Sequence, residues 1–142
     1  MAASHAGPKR VLFACVANSF RSQIAEGFAR AYAKPGTLDA RSGGTSPSGI
    51  VHPGAIRLMR EKGIDIGAQK SKPIDLAFAD HADAFITLCG PMDDACPARI
   101  AKKAVDWNIP DPSWSTDDDQ REIRDLLEGK VKGLLSDWGI LR

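Results

Sequence analysis

The hydrophobic period of this chain changes abruptly at one place, and that place limits the fold more than any other feature. Val11, Leu12, Phe13, Ala14 and Cys15 form a short, continuous apolar run, the pattern of a strand buried on both faces. From Ser22 the spacing becomes helical, with Ile24, Phe28 and Tyr32 at successive i+4 steps before Pro35-Gly36 ends the pattern. A buried strand that feeds straight into an amphipathic helix is the first half of a βαβ unit. It calls for a parallel sheet with helices on its faces.

The rest of the chain repeats that alternation. Strands are predicted at 10–16, 38–42 and 84–88, with a weaker one at 104–107, and helices at 22–34 and 53–62. Pro53 stands early in the second of these helices and Gly63 at its end. The clearest helix is the last. Thr116 and Asp117 to Asp119 supply a cap and negative charge at its start. Ile123, Leu126, Leu127, Val131, Leu134, Leu135 and Trp138 recur at helical spacing and are expected on one packed face. The predicted fold is α/β, an open parallel sheet of four strands between two layers of helices. Residues 10–142 are read as one domain and 1–9 as a flexible tail. With 142 residues, 43% of them hydrophobic, such a domain can bury a core without disulfides.

Composition excludes several functions. The net charge is +1 and the basic residues are scattered, whereas a nucleic-acid binder carries a basic face. The longest uncharged stretch, 11–20, is half of what a membrane span needs. The tail lacks the charged and apolar regions of a signal peptide. Three cysteines, an odd number, without an export signal point to reduced thiols in the cytoplasm. His5, His52 and His81 do not stand at zinc-ligand spacing from a cysteine pair, so no metal site is expected.

Chemistry concentrates where the first strand meets the first helix, in Cys15-Val16-Ala17-Asn18-Ser19-Phe20-Arg21-Ser22. In α/β folds this is the edge at which ligands bind. A turn of that length can aim the backbone N–H groups of residues 16–22, namely Val16, Ala17, Asn18, Ser19, Phe20, Arg21 and Ser22, into a nest for an oxyanion. Arg21 adds a planar fork of donors. The same field stabilises a thiolate at Cys15, with Ser22 able to donate to the sulfur and Asn18 able to brace the loop. Phe20 is bulkier than the position leads one to expect, and is read as pointing outward or shaping the mouth.

This segment resembles the Cys-x5-Arg-Ser signature of the low-molecular-weight protein tyrosine phosphatases and of the thioredoxin-coupled arsenate reductases built on the same flavodoxin-like, three-layer fold. The resemblance runs on through Ser42-Gly43-Gly44-Thr45, His52-Pro53, 59–66, Cys89-Gly90, Cys96-Pro97 and Ile109-Pro110-Asp111-Pro112. It implies Cys15 as nucleophile, Arg21 and the loop amides as oxyanion cradle, and Asp111 as the acid that protonates the departing oxygen. Asn18, Ser22 and Ser42 stand in support.

The resemblance to the reductases further implies a relay. Cys15 forms an adduct with arsenate, and Cys89 releases arsenite by closing a Cys15–Cys89 disulfide. Cys96 then takes over Cys89, and thioredoxin reduces the Cys89–Cys96 disulfide. Were 91–96 helical, Cys89 and Cys96 would lie ~10 Å apart at ~1.5 Å per residue. A disulfide needs Cα atoms about 4.4–6.8 Å apart, so the segment must rearrange. No bound cofactor is implied, and the electrons come from thioredoxin. The expected partners are arsenate or a phosphate-like oxyanion and thioredoxin, with the protein a monomer.

Two other readings remain open. One is a phosphatase using Cys15, Arg21 and Asp111 alone, with Phe20, Trp107 and Trp114 as aromatic candidates at its mouth. The other is a non-catalytic, oxyanion-binding redox sensor. Some family members hold potassium beneath the loop, and Asn18, Glu26 and Ser42 stand at matching positions. The segment that would complete such a site reads Lys70-Ser71-Lys72, so a lysine ammonium is expected to repel the ion or replace it.

Overall fold

The structure, a computed structural model, describes residues 7–89, 98–112 and 115–142. Four strands, β1 (Lys9–Cys15), β2 (Leu38–Gly44), β3 (Ala84–Thr87) and β4 (Ala104–Asp106), form one parallel sheet in the order β2-β1-β3-β4. The helices are α1 (Arg21–Tyr32), α2 (Pro53–Arg60), α3 (Leu76–His81), α4 (Ala98–Ala101) and α5 (Asp117–Asp137). The predicted four-stranded α/β architecture is therefore the observed one. Among the described residues no helix is long and apolar enough to cross a membrane.

β1 is central, and its side chains divide between two cores, as the two-residue period of a strand requires. Val11, Phe13 and Cys15 pack with Ile24 and Phe28 of α1 and with Leu127, Val131 and Leu135 of α5. Leu12 and Ala14 face the other way, onto Phe85, Phe78 and Ile100. A strand covered on both sides must be apolar throughout, which is why the run reads as continuous rather than alternating.

Three expectations are corrected. Leu126 is 42% exposed; the buried stripe of α5 runs through Leu127, Val131 and Leu135 at i+4 steps, and Leu126 lies a hundred-degree turn off it. Of the two readings of Phe20 the outward one fails, and the ring instead lines the hollow beside Cys15 and Arg21. It is 3% exposed and meets the His52 ring edge-on at 5.1 Å. α3 was not anticipated, because a helix of six residues is too short to show a period. It is started by the Asp75 carboxylate, which accepts from the Phe78 N–H. Most strand and helix bounds also shift by one or two residues, with β1 beginning at Lys9 and α2 ending at Arg60.

Strand order reverses between β1 and β3, so the crevice at their C-terminal ends is the topological switch point of the sheet. Ala14 pairs with Thr87, and the Leu88 N–H donates to the Ala14 carbonyl at 3.0 Å. That register carries Cys15 and Cys89 off the same edge.

Candidate active site

The loop after β1 is turned by its carbonyls. Those of Cys15, Val16, Ala17 and Ser19 accept from the backbone N–H groups of Thr45, Ser46, Ser48 and His52 at 2.9–3.1 Å. With its carbonyls bound outward, the loop leaves its N–H side toward the Cys15 sulfur, and the Asn18 N–H reaches Sγ at 3.2 Å. Asn18 holds φ of 48°, a left-handed conformation that asparagine tolerates better than most residues. Gly44 is needed where β2 passes the loop: a Cβ there would lie 2.4 Å from the Val16 carbonyl oxygen.

A polar network runs from the sulfur into the protein. Asn18 Nδ2 donates to Ser22 Oγ at 2.7 Å and to Ser42 Oγ at 3.0 Å. Because Ser22 Oγ accepts there, its proton is left for Cys15 Sγ, 2.9 Å away. Ser42 donates in turn to Glu26, which is 1% exposed. Asn18 Oδ1 accepts from Gln23 Nε2 at 3.0 Å and from the Lys72 N–H at 2.9 Å. Every polar atom of this asparagine is thus committed, and the loop is fixed before any ligand arrives.

The Cys15 thiol is held down at about 6 from its ordinary 9.0. The largest cause is a hydrogen bond from Cys89, helped by Ser22 and by the N–H groups of Asn18 and Ser22, while burial opposes them. At pH 7 roughly nine-tenths of such a thiol is ionised. The Cys89 thiol moves the opposite way. It is pushed up chiefly by its bond to Cys15, then by burial and by the like charge, with Arg21 opposing. In the resting site Cys89 therefore keeps its proton and donates it to the Cys15 thiolate.

Arg21 lies at the start of α1, with Nη1 on the Ile109 carbonyl at 2.7 Å and Nη2 3.8 Å from an Asp111 oxygen. Cys15, Ala17, Ser19, Phe20, Arg21 and Asp111 line a hollow of about 40 Å³. Val16 points outward and is exposed, and Ser19 Oγ bonds the Ile50 carbonyl. Of the residues singled out in the sequence, Cys15, Asn18, Arg21, Ser22, Ser42, Cys89 and Asp111 are brought into one neighbourhood. Cys96 and Trp114 lie outside the described residues, and Trp107 packs on Phe13 in the core.

Some residues of this neighbourhood were given no role at the site by the sequence. Gln23 and Ser71 brace the loop through the Asn18 and Ala17 carbonyls at 3.0 and 3.1 Å. His52 holds the Ser19 carbonyl through its backbone and starts α2 by accepting from the Gly54 N–H at Nδ1. No sequence period marks such residues.

The Lys72 ammonium stands 3.4 Å from Glu26 Oε1, 3.3 Å from Ser42 Oγ and 3.0 Å from the Lys70 carbonyl oxygen. A monovalent cation beneath the loop would meet this ammonium among its own donors, so the residues present do not fit one. Among the described residues no group of three or more His, Cys, Asp and Glu side chains is placed to hold a metal ion.

A thiolate on the N–H side of a strand-to-helix turn, with a guanidinium and a carboxylate beside it, can bind a tetrahedral oxyanion and attack its central atom. The fold and site together define a cysteine-based oxyanion protein of the phosphatase fold. The chain belongs to the low molecular weight phosphotyrosine protein phosphatase family, whose model matches residues 10–139. It is 38% identical over 131 residues to an arsenate reductase of Halalkalibacterium halodurans, covering 87% of this chain and 93% of that protein. It is also 38% identical to a glutaredoxin arsenate reductase of Synechocystis, covering 90% and 97%. A solved arsenate reductase in its phosphate-binding state superposes with a TM-score of 0.78 at 38% identity, over 91% of this chain and 98% of that one.

Proposed function

We propose that this protein reduces arsenate to arsenite with two of its own thiols as electron donors. The observation that carries the reading is that the β1–β3 register brings Cys89 off the same sheet edge as Cys15, near enough that each thiol shifts the other, Cys15 down and Cys89 up. Arsenate has the charge and shape of phosphate and suits the same nest. Cys15 attacks arsenic: a sulfur–arsenic bond forms, an arsenic–oxygen bond breaks, and Asp111 gives the departing oxygen a proton so that it leaves as water.

The second step follows from the first by electrostatics. Once Cys15 is bonded to arsenic it no longer carries a charge or accepts from Cys89, so of the three causes that kept Cys89 protonated only burial remains, and Arg21 opposes it. Cys89, ionised, attacks Cys15 Sγ. A sulfur–sulfur bond forms, and the sulfur–arsenic pair goes to arsenic, which leaves as arsenite reduced by two electrons. Cys96 then displaces Cys15 from Cys89 by thiol–disulfide exchange, and a dithiol donor, thioredoxin in our reading, reduces the resulting Cys89–Cys96 disulfide.

The phosphatase reading uses Cys15, Arg21 and Asp111 but gives Cys89 no task, and the hydrogen bond from Cys89 to the nucleophile favours the reductase. Arsenate-dependent NADPH oxidation with thioredoxin and thioredoxin reductase tests the proposal, beside the Cys96→Ser variant. A parallel assay with glutaredoxin and glutathione decides the donor, since one similar reductase carries glutaredoxin in its name. Sustained turnover that Cys96→Ser loses is the expected result. Absence of turnover with either donor, together with aryl phosphate hydrolysis that Cys96→Ser retains, makes the protein a phosphatase. A redox sensor is told apart by Asp111→Asn, which leaves a sensor's oxidation unchanged.

A further inference from the structure

Gln120 is an unusual residue to find buried in the first turn of α5. It is 5% exposed, and among the described residues its Oε1 is one of two buried side-chain polar atoms without a hydrogen-bond partner. An apolar side chain of the same length would fill that space without leaving a buried carbonyl unpaired. What the amide provides is its donor. Gln120 Nε2 reaches the Pro112 carbonyl at 3.1 Å, in the segment that carries Asp111.

That segment is held on both sides of Asp111. Before it, the Ile109 carbonyl accepts from Arg21 Nη1 at 2.7 Å, and the Ile109 N–H donates to Leu88. After it, the Pro112 carbonyl accepts from Gln120 and, at 3.0 Å, from the Ser115 N–H. The Ser115 bond is local, three positions along the chain. The Gln120 bond ties the segment to a 21-residue helix packed on the core, and so sets its height above the Cys15 loop. The Gln120 amide also sits against Gly54, at the start of α2, where a Cβ would come within 3.4 Å of Oε1. α2 begins at His52, whose backbone N–H holds the Ser19 carbonyl of the cradle and whose ring packs on Phe20. One buried amide thus stands where the Asp111 segment and the brace of the cradle both meet α5.

We propose that Gln120 is a positioning residue for Asp111, holding the carboxyl at the height from which it protonates the departing oxygen. This rests on Asp111 being the acid of the proposed function. The test is single-turnover arsenite formation by the pre-reduced protein, which needs no external donor and reads the step before disulfide reduction. Gln120→Met keeps length and removes the donor. It should slow arsenite formation ~10-fold, a fraction of what a displaced general acid can cost, while the inhibition constant for phosphate stays within about twofold because the amide's hydrogen bond goes to Pro112 and to no group of the cradle. In an Asp111→Asn background the same substitution should cost nothing further.

Gln120→Glu supplies a readout that packing does not move. Protonated, the new carboxyl donates to the Pro112 carbonyl; ionised, it repels it. Its rate relative to wild type should therefore rise as pH falls. An unchanged rate in Gln120→Met, or equal proportional losses in the wild-type and Asp111→Asn backgrounds, overturns the proposal. Should Asp111→Asn alone leave arsenite formation unchanged, the acid assignment falls and this inference with it, an outcome recognisable because no Gln120 variant is involved.

Discussion

At Cys15, hydrogen bonds outweigh burial. The thiol is 3% exposed, which by itself favours the neutral form, yet Cys89, Ser22 and the Asn18 N–H hold it at about 6. The sign of a test follows directly. Ser22→Ala removes a donor to the thiolate, so the Cys15 pKa rises, by ~1 unit for a single lost hydrogen bond to an ionised group. The pH dependence of iodoacetamide alkylation should show the midpoint move up from about 6. The variant should react more slowly than wild type near pH 6.5 and equally fast near pH 9, where both are ionised. An unmoved midpoint would mean that Ser22 merely packs beside the sulfur. Cys89, pushed the other way by the same hydrogen bond, contributes little to alkylation at these pH values.

At the scale of elements, the loop after β1 and the start of α1 are held from below by a charge carried on the chain between Gly67 and Ile74. Glu26, on α1, is almost wholly buried and accepts from Ser42; Lys72 and Arg30 balance its charge at 3.4 and 2.9 Å. Lys72→Met leaves Arg30 as the partner of this carboxylate, and Arg30 is largely exposed. We expect a loss of ~1–3 kcal/mol in thermal or urea unfolding, the range for a hydrogen bond to a buried charged group. Exchanging potassium for sodium should leave wild-type activity and Tm unchanged, because the Lys72 ammonium already meets Glu26 and Ser42. Strong stimulation of the wild type by potassium would show that Lys72 swings away in solution.

At the scale of the whole molecule, the cradle, both described thiols and the Asp111 segment come off the C-terminal edge of one sheet. Oxyanion binding should therefore stabilise the fold as a unit. Phosphate at a hundredfold excess over its Kd is expected to add about 2.7 kcal/mol by mass action, read as a rise in Tm. Arg21→Ala should lose most of that rise, while Cys89→Ser, with the cradle intact, should keep it. A phosphate-induced shift that survives Arg21→Ala would place the bound anion elsewhere than in the cradle.

The local pattern was legible along the chain: a buried strand, a short turn ending at Arg21, and an amphipathic helix. Apolar period, caps and turn residues act over a few neighbours and are written in order along the chain. The four-stranded sheet was legible for the same reason, whereas α3 was too short to show a period and Leu126 lay just off a stripe that only packing defines. Tertiary structure alone decided the rest. The β1–β3 register set Cys89 against Cys15. Folding turned Phe20 onto His52, set the Lys72 ammonium beside Glu26, and brought Gln120 under Pro112. The first three of these pairs are separated by 32 to 74 positions along the chain, and Gln120 and Pro112 by 8. Their contacts depend on strand order and helix placement, which no local period encodes.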